Sequence, residues 1–196
     1  MEKVIIASNN MNKIREFSEM LGDGVQVLSL KDVGFSFDIE ENGETFLDNA
    51  LIKAKTISLF LREKGVFAPV FSDDSGLAVN SLGGAPGVHS ARYAGMHGDD
   101  KKNRDVLLKN LENAHDRSAY FISVIVCYYP DDTYVFAEGK TYGHILCEEE
   151  GTNGFGYDCI FYSSDLQKSF GLATAEEKNA VSHRARALQE MLRKIK

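Results

Sequence analysis

Apolar positions recur along this chain with two periods, and the switches between them lay out its elements. Val4-Ile5-Ile6-Ala7 is a continuous apolar run of strand length and reads as the first strand. The polar loop Ser8-Asn9-Asn10-Met11-Asn12-Lys13 then opens a helix to about Leu21, with Ile14, Phe17, Met20 and Leu21 on one face and Gly22 as a stop. Val25 to Leu30 reads as a second strand. Residues 40–44 form an acidic turn ahead of the longest helical pattern, Thr45 to Lys64. Its apolar face is Phe46, Leu47, Ala50, Leu51, Ala54, Ile57 and Leu61, and Gly65 closes it. Thr45, Asn49 and Lys53 lie four apart and make a polar stripe beside that face.

Strands over 69–74 and 77–80 flank a predicted turn at Asp73-Asp74-Ser75-Gly76. A loop at 83–87 precedes a helix over 99–113, in which Val106, Leu107 and Leu111 are the buried set. Ala119 to Tyr129 and Thr133 to Leu146 read as long strands joined at Pro130-Asp131-Asp132 in a hairpin. A glycine-rich loop, Gly151 to Asp158, leads to a short strand, Cys159-Ile160-Phe161. Ser182 is the expected N-cap of a closing helix with Leu188, Met191, Leu192 and Ile195 on one face. No internal repeat is visible, and this order of elements predicts an α/β fold with a mixed sheet over a single domain, residues 1–196.

Charge and composition narrow the function. A net charge of −7 argues against nonspecific nucleic-acid binding, which needs a basic surface. It leaves room for a nucleotide, because a few lysines in one cleft create a local positive field. Cys127, Cys147 and Cys159 have no C-x-x-C spacing and read as reduced thiols, and the five histidines show no zinc-binding pattern. Met1-Glu2-Lys3 runs straight into the first strand with no room for a signal peptide, and no apolar run is long enough to span a bilayer. A cytoplasmic protein with no membrane partner is expected.

The chemistry-bearing segments each admit two readings. Asp73 and Asp74 stand at a strand end, where alternation sends their side chains to opposite faces. Such carboxylates suit Mg²⁺ and phosphate chemistry, or else cap the amides of a turn. Gly139-Lys140-Thr141 lacks the earlier glycine of a Walker loop, no G-x-S-x-G exists, and Gly154-Phe155-Gly156 lacks the third glycine of a dinucleotide fingerprint. The loop 8–13 leaves a strand and opens a helix, the usual place for anion capture in α/β sheets, and Lys13 there opposes the helix dipole. Phe155, between two glycines, is either a stacking surface for a base or a plug for the core. Ser182-His183-Arg184 puts donors at the positive end of a helix, which suits a ligand better than helix stability.

Together these segments resemble the inosine triphosphate pyrophosphatase family. The matching blocks are Ala7-Ser8-Asn9-Asn10 with Lys13, Glu40-Glu41-Asn42-Gly43 with Thr45-Phe46, Asn49-Ala50 and Lys53-Ala54, Asp73-Asp74-Ser75-Gly76-Leu77, Leu82 to Val88 with Ser90 to Tyr93, Gly154-Phe155-Gly156-Tyr157-Asp158, and Ser182-His183-Arg184. Ser8-Asn9 stands where the bacterial pattern has Thr-Gly, and Cys159 where proline commonly follows. The resemblance implies a long mixed central sheet with helices on both sides and two lobes enclosing a nucleotide cleft. It implies hydrolysis of deaminated purine nucleoside triphosphates (ITP, dITP, XTP) to the monophosphate and pyrophosphate, in a homodimer. By motif position, Lys13 and Lys53 bind the triphosphate, Glu40 and Asp74 hold Mg²⁺, and Asp74 also takes a proton from the attacking water. Glu41 is an alternative to Glu40. Phe155 stacks on the base, whose polar edge is lined by Asp158, Lys178, His183 and Arg184. Ser8, Asn9, Asn10, Ser75, Gly156 and Tyr157 complete the substrate-binding set. A Maf-like nucleotide pyrophosphatase and a nucleotide sensor without turnover are the alternatives.

Overall fold

In the computed structural model, which describes residues 2–96 and 98–195, the strands of those residues form one mixed sheet. They are β1 (Glu2–Ile6), β2 (Val25–Leu28), β3 (Val70–Val79), β4 (Ser118–Tyr128), β5 (Tyr134–Ile145), β6 (Phe161–Ser163) and β7 (Lys168–Ser169), ordered β2-β1-β3-β4-β5-β6-β7. β1 runs parallel to β2 and to β3, while β5, β6 and β7 are antiparallel neighbours. The helices are α1 (Met11–Leu21), α2 (Phe46–Glu63), α3 (Asp100–Asn110), α4 (Ala175–Val181) and α5 (His183–Lys194). The parallel pairs at β1 need crossovers, and α1 and α2 lie in the segments that supply them.

The chain divides into two compact units: residues 1–74, 124–138 and 187–196 in one, 75–123 and 139–186 in the other. In the first, strand alternation sorts the core onto two faces. Ile5, Ala7 and Val70 pack with Ala50, Ala54 and Ile57 of α2. Ile6 and Phe71 point the other way, into a cluster with Ile14 and Phe17 of α1 and Leu188 and Met191 of α5. Helices therefore cover both faces of the sheet there. In the second unit Leu77, Val79, Phe121, Ile145, Phe161 and Phe170 pack with Leu107 of α3 and with Leu111 just past its end.

Local signals set most boundaries. Asn10 caps α1 by accepting from the Asn12 and Lys13 amides. Thr45 and Asp48 form a capping box at the start of α2. Ser182 Oγ accepts from the Ala185 N–H, as an N-cap should. Two expectations are corrected. Residues 73–76 are not a turn, because β3 runs unbroken from Val70 to Val79 with both faces covered. The short strand begins at Phe161, since Asp158–Ile160 is a 3₁₀ turn. α4, with a Thr174/Glu177 capping box, and β7 were not foreseen, being too short for a period to show.

Candidate active site

β3 delivers two carboxylates to two lysines within the first unit. Val70, Ser72 and Asp74 face α2, where Ser72 Oγ donates to the Ala50 carbonyl at 2.6 Å. Asp74 Oδ1 accepts from Lys53 Nζ at 3.2 Å, and the same ammonium donates to Glu41 Oε2 at 2.7 Å. Asp73 points the other way: Lys13 Nζ, from α1, donates to its Oδ2 at 2.9 Å and to its carbonyl at 3.2 Å. The sequence separations are 60 residues for Lys13–Asp73 and 21 for Lys53–Asp74, so only the fold assembles this set. The stripe on α2 explains its own spacing. Thr45 caps the helix, Asn49 Oδ1 holds the Gly43 N–H at 2.8 Å, and Lys53 meets the acids one turn on. Asn49 thereby anchors the loop that presents Glu41.

The electrostatics of this cluster are uneven. Asp74 is 7% exposed, and its Oδ2 is buried without a hydrogen-bond partner. Burial pushes its carboxyl above the ordinary aspartate range against the pull of Lys53 and Lys13, and the charges of Glu41 and Asp73 add to the rise. Glu41 goes the opposite way: burial works to raise it, but the Lys53 ammonium, with help from Lys13, holds it below the usual range. Lys53 is kept firmly protonated, since the Asp74 and Glu41 charges outweigh its own desolvation. The result is one carboxyl made more basic beside two ammonium groups, a pairing suited to taking a proton next to a polyanion. The orphaned Oδ2 is a free hard donor with a second carboxylate near it. Among the described residues no cluster of three or more acid, histidine or cysteine ligands forms. A divalent cation of the magnesium kind needs only one or two protein carboxylates when phosphates and water complete its shell, and this donor set fits it.

Two of the remaining residues of the first loop, Ser8 and Asn10, have structural partners. Ser8 Oγ accepts from the Asn10 N–H and Asn10 Oδ1 caps α1, while Asn9 is exposed at the loop surface. Glu40 is also exposed, and it is Glu41 that reaches Lys53.

A second constellation lies wholly in the other unit. Phe155 is half-buried, with Lys178 Nζ 4.7 Å and Arg184 Cζ 5.9 Å from its ring centroid. Asp158 Oδ2 accepts from Lys178 Nζ at 2.6 Å and from the Phe155 N–H at 2.8 Å. Arg184 is 1% exposed and donates to Ser75 Oγ at 2.9 Å. His183 stacks on Phe121 with centroids 4.9 Å apart. Tyr157 OH donates to the Ser90 carbonyl, and burial drives its pKa up, so this ring anchors the loop from below. Buried cations around one aromatic are costly unless held by partners. Here they form a cationic, hydrogen-bonding wall beside a planar ring, a surface suited to a flat heterocycle with acceptors on its edge. Asp100 and Arg104, which bond the backbone of Gly156, were not singled out from sequence. They lie 56 and 52 residues from the glycine they hold, and no local pattern marks them.

Comparison with known proteins gives a consistent result. The sequence profile of the Ham1 family matches residues 4–194. A dITP/XTP pyrophosphatase of Clostridium perfringens (strain 13 / Type A) is 46% identical, covering 100% of this chain and 98% of its own length. Among solved structures, the Ham1 protein of Staphylococcus aureus superposes with a TM-score of 0.84 at 38% identity, covering all of both chains. A HAM1 protein from Coxiella burnetii gives a TM-score of 0.86 at 37% identity, covering 100% of this chain and 98% of that one.

Proposed function

The chain belongs to the Ham1 family, and from that premise we propose that it hydrolyses deaminated purine nucleoside triphosphates (ITP, dITP and XTP) to the monophosphate and pyrophosphate, clearing them from the nucleotide pool. The observation that carries the reading is the buried Asp74, which lies 3.2 Å from Lys53 Nζ with Glu41 on the same ammonium and its own Oδ2 open.

The chemistry follows from charge. A triphosphate repels an incoming hydroxide, so its charge must be balanced and its α-phosphorus presented to water. Lys13 and Lys53 supply two ammonium groups whose present counter-ions, Asp73, Asp74 and Glu41, hold them in place. Asp74 accepts the proton as the water oxygen bonds to the α-phosphorus. The bond from that phosphorus to the α–β bridging oxygen breaks, and its electron pair leaves with pyrophosphate. Asp74 Oδ2 and an acid of the Glu40-Glu41 pair would hold Mg²⁺, with Glu41 the better placed. When bound, the ion offsets phosphate charge and lowers the barrier to in-line attack. Phe155 stacks on the base, and Arg184 and Lys178 face its acceptor edge. A homodimer working in the cytoplasm completes the reading; among the described residues no helix is long and apolar enough to cross a membrane.

The test is product analysis on ITP, dITP, XTP, GTP and ATP with and without Mg²⁺. Pyrophosphate and monophosphate from the deaminated purines, abolished by a chelator, are expected. Phosphate with a diphosphate product, preference for other modified nucleotides, or binding without turnover would replace the proposal.

A further inference from the structure

Two side chains of α3 hold the loop that carries Phe155. Asp100 and Arg104, one helical turn apart, take both backbone groups of Gly156. The Gly156 N–H donates to Asp100 Oδ2 at 3.0 Å, and Arg104 Nη1 donates to the Gly156 carbonyl at 2.8 Å. The guanidinium is itself oriented, since its Nε donates to Glu149 Oε1 at 2.8 Å and its side chain is only 15% exposed. On the preceding residue, Asp158 fixes the Phe155 N–H. The peptide groups on both sides of the Phe155 ring are thus tied down by side chains from two different segments.

Gly156 has a φ of 62°, a left-handed conformation that glycine adopts freely, but glycine also has the most conformational freedom to lose. Such a residue beside a stacking ring needs an external restraint if the ring is to stay in one position. α3 is a rigid source of one, because its Leu107, and Leu111 that caps its end, are buried in the core of the same unit. Glutamine or lysine at 104 would not serve equally: only the guanidinium fork reaches a carbonyl and a carboxylate from different nitrogens at once.

We propose that Asp100 and Arg104 are positioning residues for base recognition, holding Gly156 so that Phe155 stays in the geometry that stacks on the purine. The inference rests on Phe155 being the base platform of the proposed reaction. With the clamp broken, the loop occupies the stacking geometry for only part of the time. Apparent affinity for the base end then falls by that fraction. The phosphate end, bound through Lys13 and Lys53, keeps its affinity.

The experiment compares two competitive inhibitors of ITP hydrolysis: IMP, which carries the base, and inorganic tripolyphosphate, which does not. In Arg104→Ala, inhibition by IMP and the KM for ITP are expected to weaken about fivefold or more, the worth of one lost hydrogen bond. Inhibition by tripolyphosphate should stay within about twofold, a margin well under the worth of one hydrogen bond. Asp100 is exposed, so Asp100→Ala gives the same comparison, with a smaller shift of the same sign, where Arg104→Ala does not fold. Equal weakening of both inhibitors, or unchanged IMP inhibition in a folded variant, overturns the clamp. A wild-type protein that releases no pyrophosphate from ITP overturns the underlying reading and the clamp with it, whereas an active wild type with unchanged variants overturns the clamp alone.

Discussion

At the scale of single residues, neighbours on one strand do different work because alternation hands them to different helices. Under the proposed reaction, Asp74→Asn is expected to lose about a hundredfold or more in kcat, since it removes the proposed proton acceptor and the carboxylate charge that would hold Mg²⁺. Asp73→Asn should cost clearly less, because Asp73 acts through Lys13; equal losses in parallel assays would contradict the separate roles. The same Asp74 substitution should not destabilise the protein. A carboxyl whose folded pKa lies above its unfolded value gives stability that is complete below the unfolded pKa and lost as pH rises through the folded one. Asp74 is raised from 3.8, so its ionised form is a liability at neutral pH, which asparagine lacks. With chelator present, the Tm of Asp74→Asn should equal or exceed the wild type at pH 7, and the difference should shrink toward pH 4. On the base side, Arg184 offers only donors. Hypoxanthine presents an acceptor oxygen at its 6-position and adenine a donor amine, so adenine would turn a donor, not an acceptor, toward the buried guanidinium. The mismatch costs roughly 1–3 kcal/mol, or about fivefold to 150-fold in discrimination. Arg184→Ala should therefore lower the ITP/ATP ratio of kcat/KM; a constant ratio with both activities reduced would make Arg184 a structural residue.

At the scale of elements, helix ends are legible because capping is a contact between residues three apart. Asn10, Thr45 and Ser182 all sit where the periodic pattern begins, and all three cap. Thr45→Ala should cost about 1 kcal/mol of stability by urea denaturation, with little change in kcat because Lys53 is held by packing two turns on. The loop before α2 is more sensitive. A Cβ on Gly43 would lie 2.5 Å from Asp48 Cβ and 2.8 Å from Asn49 Oδ1, so Gly43→Ala must shift the segment bearing Glu41. A fall in kcat larger than the fall in stability is expected, measured by kinetics and thermal melts on the same sample. The middle of β3 reads as a turn in the sequence for a definite reason. Asp-Asp-Ser-Gly has turn composition, and only partners from α1 and α2 make two adjacent acids tolerable inside a buried strand.

At the scale of the whole molecule, light scattering at micromolar concentration should give the mass of two chains; a single-chain mass would remove the dimer from the proposal. The net charge of −7 predicts no salt-dependent retention by duplex DNA, despite the nucleotide chemistry. The sequence by itself determined the α/β class, the long helices, the Ser182 cap, the β4–β5 hairpin, and the blocks by which the chain resembles its family. Each of these rests on periodicity, or on residues a few positions apart, or on motif order. Tertiary structure alone decided which acid of Glu40 and Glu41 meets Lys53, that β3 is continuous, that Asp73 and Asp74 serve different lysines, and that α3 grips Gly156. Those outcomes depend on side chains brought together across 12 to 60 residues of chain, and on burial that turns an ordinary aspartate into a stronger base. Local pattern carries no record of either, because hydrogen bonds and desolvation act through space.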